Sequence, residues 1–160
     1  DLESYANAEP DRLRKVLSTV RVPFDVVLVD TGPGVSRETH VTHEEADGTV
    51  VVTTADEVAV TDAERTARFA ERVDCPVTSL VVQRTGDREV ARAVADRIGV
   101  DRWYGVADHP EGHDQPAATA PASDAAAAYR RVAHDLPVSD PVADDDTVDV
   151  SDLDGDTVAN

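Results

Sequence analysis

With 160 residues, 41% of them hydrophobic, and an ordinary complement of eight Gly and nine Pro, the chain is long enough to bury one domain-sized core. Its formal charge of −18, from 33 acidic against 15 basic side chains, leaves no basic patch for counterion release on nucleic acid or for attraction to an anionic leaflet, so neither is expected as a direct partner. Lys15 is the single lysine, and Arg supplies the other cations, a balance resembling the acidic proteins of salt-loving cells. No apolar run approaches the roughly 18 residues of a membrane span and no signal peptide is visible, which makes the cytoplasm the expected compartment. The lone Cys75, beside Pro76, is expected to pack as a small buried hydrophobe, since no disulfide can form within the chain. The chain contains no Met, so it is read as a segment of a longer protein.

In chain order, residues 10–20 predict a helix, with Pro10 suited to its first turn and Leu13, Val16, Leu17 and Val20 at helical spacing. Phe24 to Val29 is an unbroken, valine-rich run and predicts a strand covered on both faces, as in parallel sheets. Residues 37–46 form a weaker helix candidate, and Gly48 leads into TVVVTT, a second buried strand. Val58 to Val73 predicts a helix with a stripe at Val60, Ala63, Ala67 and Ala70. VTSLVVQ after Pro76 is a third strand, Arg88 to Ile98 a helix closed by Gly99, and Arg102 to Ala107 a fourth strand. A Pro- and His-containing loop then precedes a helix from about Pro121 to Leu136. The alternation implies an α/β domain, a parallel sheet with helices on both faces, whose ligands sit at the carboxyl ends of the strands. From Val138 the chain carries eight Asp and no Lys or Arg, the composition of a disordered acidic tail over 138–160. Its DLDGD run falls short of a calcium loop, because the glycine comes at the fourth position and no Glu closes it.

Chemistry concentrates at Asp30. A carboxylate ending a buried strand can hold magnesium while the ion bridges phosphate oxygens, although strands also end in Asp because it begins turns. Thr31-Gly32-Pro33-Gly34 adds weight, since glycines let backbone N–H groups approach an anion closely. Lys15 sits in RLRKVL, so the complementary GKS or GKT phosphate loop is not among these residues. His40 and His43, three apart with Glu44 beside them, have the spacing of a metal pair but also that of ordinary exposed polar residues; His109 and His113 are separated by Pro110 and Gly112.

Taken together, FDVVLVDTGPGVS (24–36), ADGTVVVTTADEVAVTDAERT (46–66), SLVVQR (79–84) and RIGVDRWYGVADHP (97–110) resemble, in this order, the C-terminal part of the MinD/ParA family of deviant Walker P-loop ATPases. The resemblance covers about Leu13 to Leu136 and implies a P-loop NTPase-like fold whose N-terminal part is missing, with an ATPase portion over 1–137. It implies that Asp30 is the Walker B residue near Mg2+ and that Gly32 and Gly34 form the switch sensing the terminal phosphate. Gln83 takes the place of the adenine-contacting Asn, keeping the amide and adding a methylene, with Arg84 following it. Val106, Ala107 and Asp108 align with the segment lying along the base, where Ala107 replaces a common proline; Ala55 replaces another. Asp62 would face the dimer or partner surface, or be a solvated helix residue.

The family's activity is ATP hydrolysis by a nucleotide-dependent homodimer that positions division machinery, chromosomes or other cargo through regulatory or cargo proteins. Its phosphate loop lies upstream of the region matched, so no turnover is expected from these residues alone. The missing first strand would lie between the strands at Phe24 and Thr49, whose edges would otherwise stay unpaired. Membrane binding through the acidic C-terminus is not expected. A GTPase is disfavoured because Gln83-Arg84-Thr85-Gly86 lacks the guanine-reading Asp, and a phosphoacceptor receiver because Lys15 is misplaced. A non-catalytic interaction module using the helix around Asp62 and Arg68 is the alternative of a different class.

Overall fold

The computed structural model describes residues 10–32, 34–108 and 123–136. The acidic tail with DLDGD, the loop containing His109 and His113, Pro33 and Pro121 lie outside the described residues. The elements are α1 (Pro10–Val20), α2 (Arg37–Glu45), β1 (Thr49–Thr54), α3 (Glu57–Arg72), β2 (Val77–Gln83), α4 (Arg88–Ile98), β3 (Trp103–Val106) and α5 (Asp124–His134). β1, β2 and β3 form a parallel sheet in that order, with Val52 opposite Val81 and Gln83 opposite both Thr54 and Val106. The strand and helix boundaries follow from local chemistry. Asp56 accepts from the Val58 and Ala59 N–H groups and Asp87 from those of Glu89 and Val90, so each carboxylate starts a helix. Gly99, at φ 85°, ends α4 in the left-handed region that glycine enters without cost.

Alternation along the strands sorts the core into two layers. Val51, Leu80 and Val82 pack against Val60, Ala63 and Ala67 of α3 and Ala91, Val94 and Ala95 of α4. On the opposite face Val81, Tyr104 and Val106 pack against Ala125 and Ala128 of α5. Small side chains let backbones approach: a Cβ on Gly105 would already touch the Ala91 methyl at 3.4 Å. Leu80 and Val82 are fully enclosed, and each is worth about 1.5–3 kcal/mol of apolar burial.

One expected element is absent. Phe24 to Val29 is neither a strand nor buried; Phe24 is 63% and Leu28 78% exposed. The segment is valine-rich on both faces, yet pairing decides a strand, and among the described residues it has no hydrogen-bonded neighbour. β1, correspondingly, pairs on one edge alone among the described residues, and its Val52 remains 55% exposed. The helix before this segment also buries less than its pattern implies: Leu17 is covered, whereas Val16 is exposed. Ion pairs join α1 to α2, with Arg14 reaching Glu44 and, at 3.2 Å, Glu45, and just beyond the two helices Arg21 pairs with Asp47 at 2.8 Å.

Candidate functional site

The carboxyl ends of β2 and β3 gather five of the sequence-derived site residues. Gln83 ends β2 beside Val106, and the Thr85 N–H donates to the Val106 carbonyl at 2.9 Å, carrying the pairing past the strand end. Arg84, between them, sits at φ 57°, a left-handed conformation that costs a non-glycine residue roughly 1–2 kcal/mol. That turn folds the chain back so that Gly86 approaches the Ala107 methyl, with a Cβ at Gly86 falling 3.6 Å from it. Arg84 and Asp108 are exposed, and Val106 is buried beneath them. The result is a corner made of Gln83, Arg84, Val106, Ala107 and Asp108.

The side chain of Gln83 is held. It lies on the α5 face of the sheet with Val81, and its Nε2 donates to the Tyr129 hydroxyl at 2.8 Å. Tyr129 was not among the residues singled out from the sequence. The run DAAAAYRRV announces a helix, but which of its side chains meets the sheet depends on how α5 docks. That docking is set at the other end of the helix. Tyr104 donates its hydroxyl to Asp135 Oδ2 at 2.6 Å, and Arg102 donates to the Asp135 carbonyl at 2.7 Å. Burial first, and then this hydrogen bond to a carboxylate, push the Tyr104 hydroxyl up to about 12. The bond from Tyr104, followed by His134, lowers the Asp135 carboxyl.

Asp30, Gly32 and Gly34 lie in the exposed stretch before α2. Among the described residues no hydrogen bond or ion pair links them to the Gln83 corner. Gly34 has φ 95°, which requires glycine, whereas a Cβ at Gly32 would meet nothing within 4 Å. Ser36 then caps α2 by accepting from the Thr39 N–H. Helix N-termini attract anions when their N–H groups are free. Here Asp56, Asp87 and Ser36 already engage N–H groups of three of them, and two of the caps are themselves negative. Those capped N–H groups are therefore not free to hold an anion.

Other candidates take structural roles. His43 is buried, with Nδ1 donating to the Thr39 carbonyl at 2.7 Å, and its ring meets Phe69 edge-on; His40 pairs with Glu44 at 3.2 Å. No group of three His, Cys, Asp or Glu able to hold a metal occurs among the described residues. Cys75 is buried against the Thr49 hydroxyl at 3.1 Å, as expected. Asp62 pairs with Arg65 on its own helix, and Arg68 with Glu64. An open groove of about 610 Å³ runs along α4 to Trp103, over whose ring Arg88 stacks at 5.4 Å, and it includes none of the site residues. No helix among the described residues is long and apolar enough to cross a membrane.

A parallel sheet with helices on both faces and a polar corner at the carboxyl ends of its strands is an α/β domain of the kind that places ligands at those ends. Residues 10–85 match the family described as ParA, NUBPL iron-transfer P-loop NTPase. The chain is 28% identical over 137 residues to the septum site-determining protein MinD of Bacillus subtilis, covering 78% of this chain and 51% of that protein. It is 36% identical over 70 residues to the cytosolic Fe-S cluster assembly factor CFD1 of Debaryomyces hansenii, covering 41% of this chain and 24% of that protein. The solved structure of the septum site-determining protein MinD from Pyrococcus horikoshii, complexed with Mg-ADP, superimposes with a TM-score of 0.72 at 20% identity, over 86% of this chain and 60% of that one. Together these matches support membership of the MinD/ParA family of P-loop NTPases. It spans between 24% and 51% of the length of the curated relatives it matches.

Proposed function

We propose that these residues form the base-binding and magnesium-side half of a MinD/ParA-type ATPase, completed by an upstream segment that carries the glycine-lysine phosphate loop. Asp30 would hold Mg2+ through water, Gly32 and Gly34 would respond to the terminal phosphate, and Gln83, Arg84, Val106, Ala107 and Asp108 would flank the adenine. Bound magnesium would supply charge neutralisation on the phosphate oxygens. The observation that carries this reading is the unfilled sheet: a valine-rich segment ending in Asp30 lies unpaired, and β1 offers an unpaired edge with Val52 uncovered. An apolar strand between the two would bury both and bring Asp30 level with the Gln83 corner. Residues 1–137 are then the ATPase portion and 138–160 an acidic appendage.

The whole protein works, in this proposal, as an ATP-dependent homodimer in the cytoplasm that positions division machinery, chromosomes or another cargo through a regulatory or cargo protein. The likeness to an Fe–S assembly factor raises cluster transfer as a second reading. Clusters are held by several thiolates, and this chain has one cysteine, buried and engaged, so the positioning reading is preferred. Isothermal titration of the full-length gene product with ATP, with and without Mg2+, tests the proposal. Magnesium-dependent micromolar binding with hydrolysis lost in Asp30→Ala supports it. No binding would favour the non-catalytic interaction module, with α3 around Asp62 and Arg68 as its surface.

A further inference from the structure

We propose that Tyr129 is a positioning residue for base recognition, acting through the Gln83 amide; this rests on the ATPase reading above. A Gln reaching for a base has one more rotatable bond than an Asn and more rotamer freedom to lose, a cost of up to about 2 kcal/mol for such side chains. Gln83 is restrained here by an exposed hydrogen bond that removes part of that freedom. Its Nε2 is tied to the Tyr129 hydroxyl at 2.8 Å, and Tyr129 is itself carried on a helix fixed to the sheet by Ala125 and Ala128 in the core and by the Tyr104–Asp135 and Arg102–Asp135 bonds. The longer side chain is thus arranged before any ligand arrives, which is how an ordered contact strengthens binding without adding new contacts.

The tether also sets which end of the amide faces the ligand. With Nε2 donating to Tyr129, Oε1 has no partner among the described residues and remains an acceptor at the half-exposed end of β2. An acceptor there bonds the exocyclic amine of a 6-aminopurine and opposes the carbonyl of a 6-oxopurine. Tyr129, although 46 residues away in sequence, therefore supports preference for adenine over guanine. The removed hydroxyl touches no phosphate-side residue, so the effect is confined to the base.

Affinities of the full-length gene product for ATP and GTP, measured by competition against a fluorescent ATP analogue, test this in the wild type, Gln83→Ala, Tyr129→Phe and the double variant. Tyr129→Phe should lower the ATP-to-GTP affinity ratio about two- to tenfold, the worth of one ordered hydrogen bond. In the Gln83→Ala background it should change the ratio no further. Tyr129→Phe in a Gln83→Asn background should matter less, because the shorter amide needs no tether. An unchanged ratio in Tyr129→Phe, while Gln83→Ala reduces it, would overturn the inference and leave the ATPase reading standing. An unchanged ratio in Gln83→Ala would remove the base-contact role on which the inference rests, and absence of ATP binding by the wild type would remove the ATPase reading itself.

Discussion

Phe24 to Asp30 and Val77 to Gln83 are near twins in composition, both short, rich in valine and ending in a polar residue, yet one lies open to solvent and the other is the best-buried strand among the described residues. β2 has a parallel partner on each edge and a helix layer on each face, so its inward side chains are enclosed from both sides. The other segment has none of these neighbours among the described residues. β propensity describes a fit to a pleated, half-buried surface, and the surface must be there for the fit to count.

The comparison is broken most directly by truncating matched leucines. Leu80→Ala should destabilise this chain by about 2–5 kcal/mol in urea unfolding, because a fully enclosed side chain leaves a cavity. Leu28→Ala in the same chain should fall within about 0.5 kcal/mol of wild type, since Leu28 is exposed. Equal costs would show that the segment is folded into the core after all. In the full-length gene product the proposed central strand would cover Leu28, and the same substitution should then approach the cost at Leu80.

Glycines sharpen the contrast at a smaller scale. A Cβ on Gly48, where the chain enters β1, would lie 2.6 Å from Thr78 Cγ2, so Gly48→Ala should cost about 1–3 kcal/mol through overpacking. Gly32→Ala meets no such neighbour and should leave the unfolding midpoint of this chain unchanged. If Gly32 belongs to a phosphate-sensing switch, the same variant should instead reduce ATP hydrolysis by the full-length protein, separating a functional requirement for glycine from a packing one.

The sequence made legible what is local. TVVVTT and VTSLVVQ are strands over the residues read, Arg88 to Ile98 is a helix closed by Gly99, and Val60, Ala63, Ala67 and Ala70 form the buried stripe of α3. What failed is non-local. FDVVLV reads as a strand on any pattern, but its pairing depends on residues far away in the chain; Val16 matches the helical period yet is 56% exposed. The candidate site divides the same way. The corner at Gln83 and Val106 follows from strand register, whereas the grip of Tyr129 on Gln83 requires knowing how α5 lies across the sheet, a matter of packing between Ala-rich surfaces that carry little directional pattern.

The smallest effect tests whether α5 is as firmly docked as this division implies. Tyr104→Phe removes the hydroxyl bonded to Asp135 and should cost about 0.5–1.5 kcal/mol near neutral pH. The sign of its pH dependence follows from the shift. The folded-state pKa of Tyr104 is raised from 10.0 to about 12, so its contribution is fully present below pH 10 and is lost as pH rises towards 12, where the unfolded chain has already released the proton. Asp135 shifts the other way: its lowered pKa contributes above the ordinary carboxylate range and is lost as acid protonates it in the fold. Wild-type stability measured from neutral to pH 12 should therefore decline more steeply above pH 10 than that of Tyr104→Phe. Parallel declines would mean that the bond does not hold in solution, and α5, with Tyr129 upon it, would then be free to leave Gln83 unanchored.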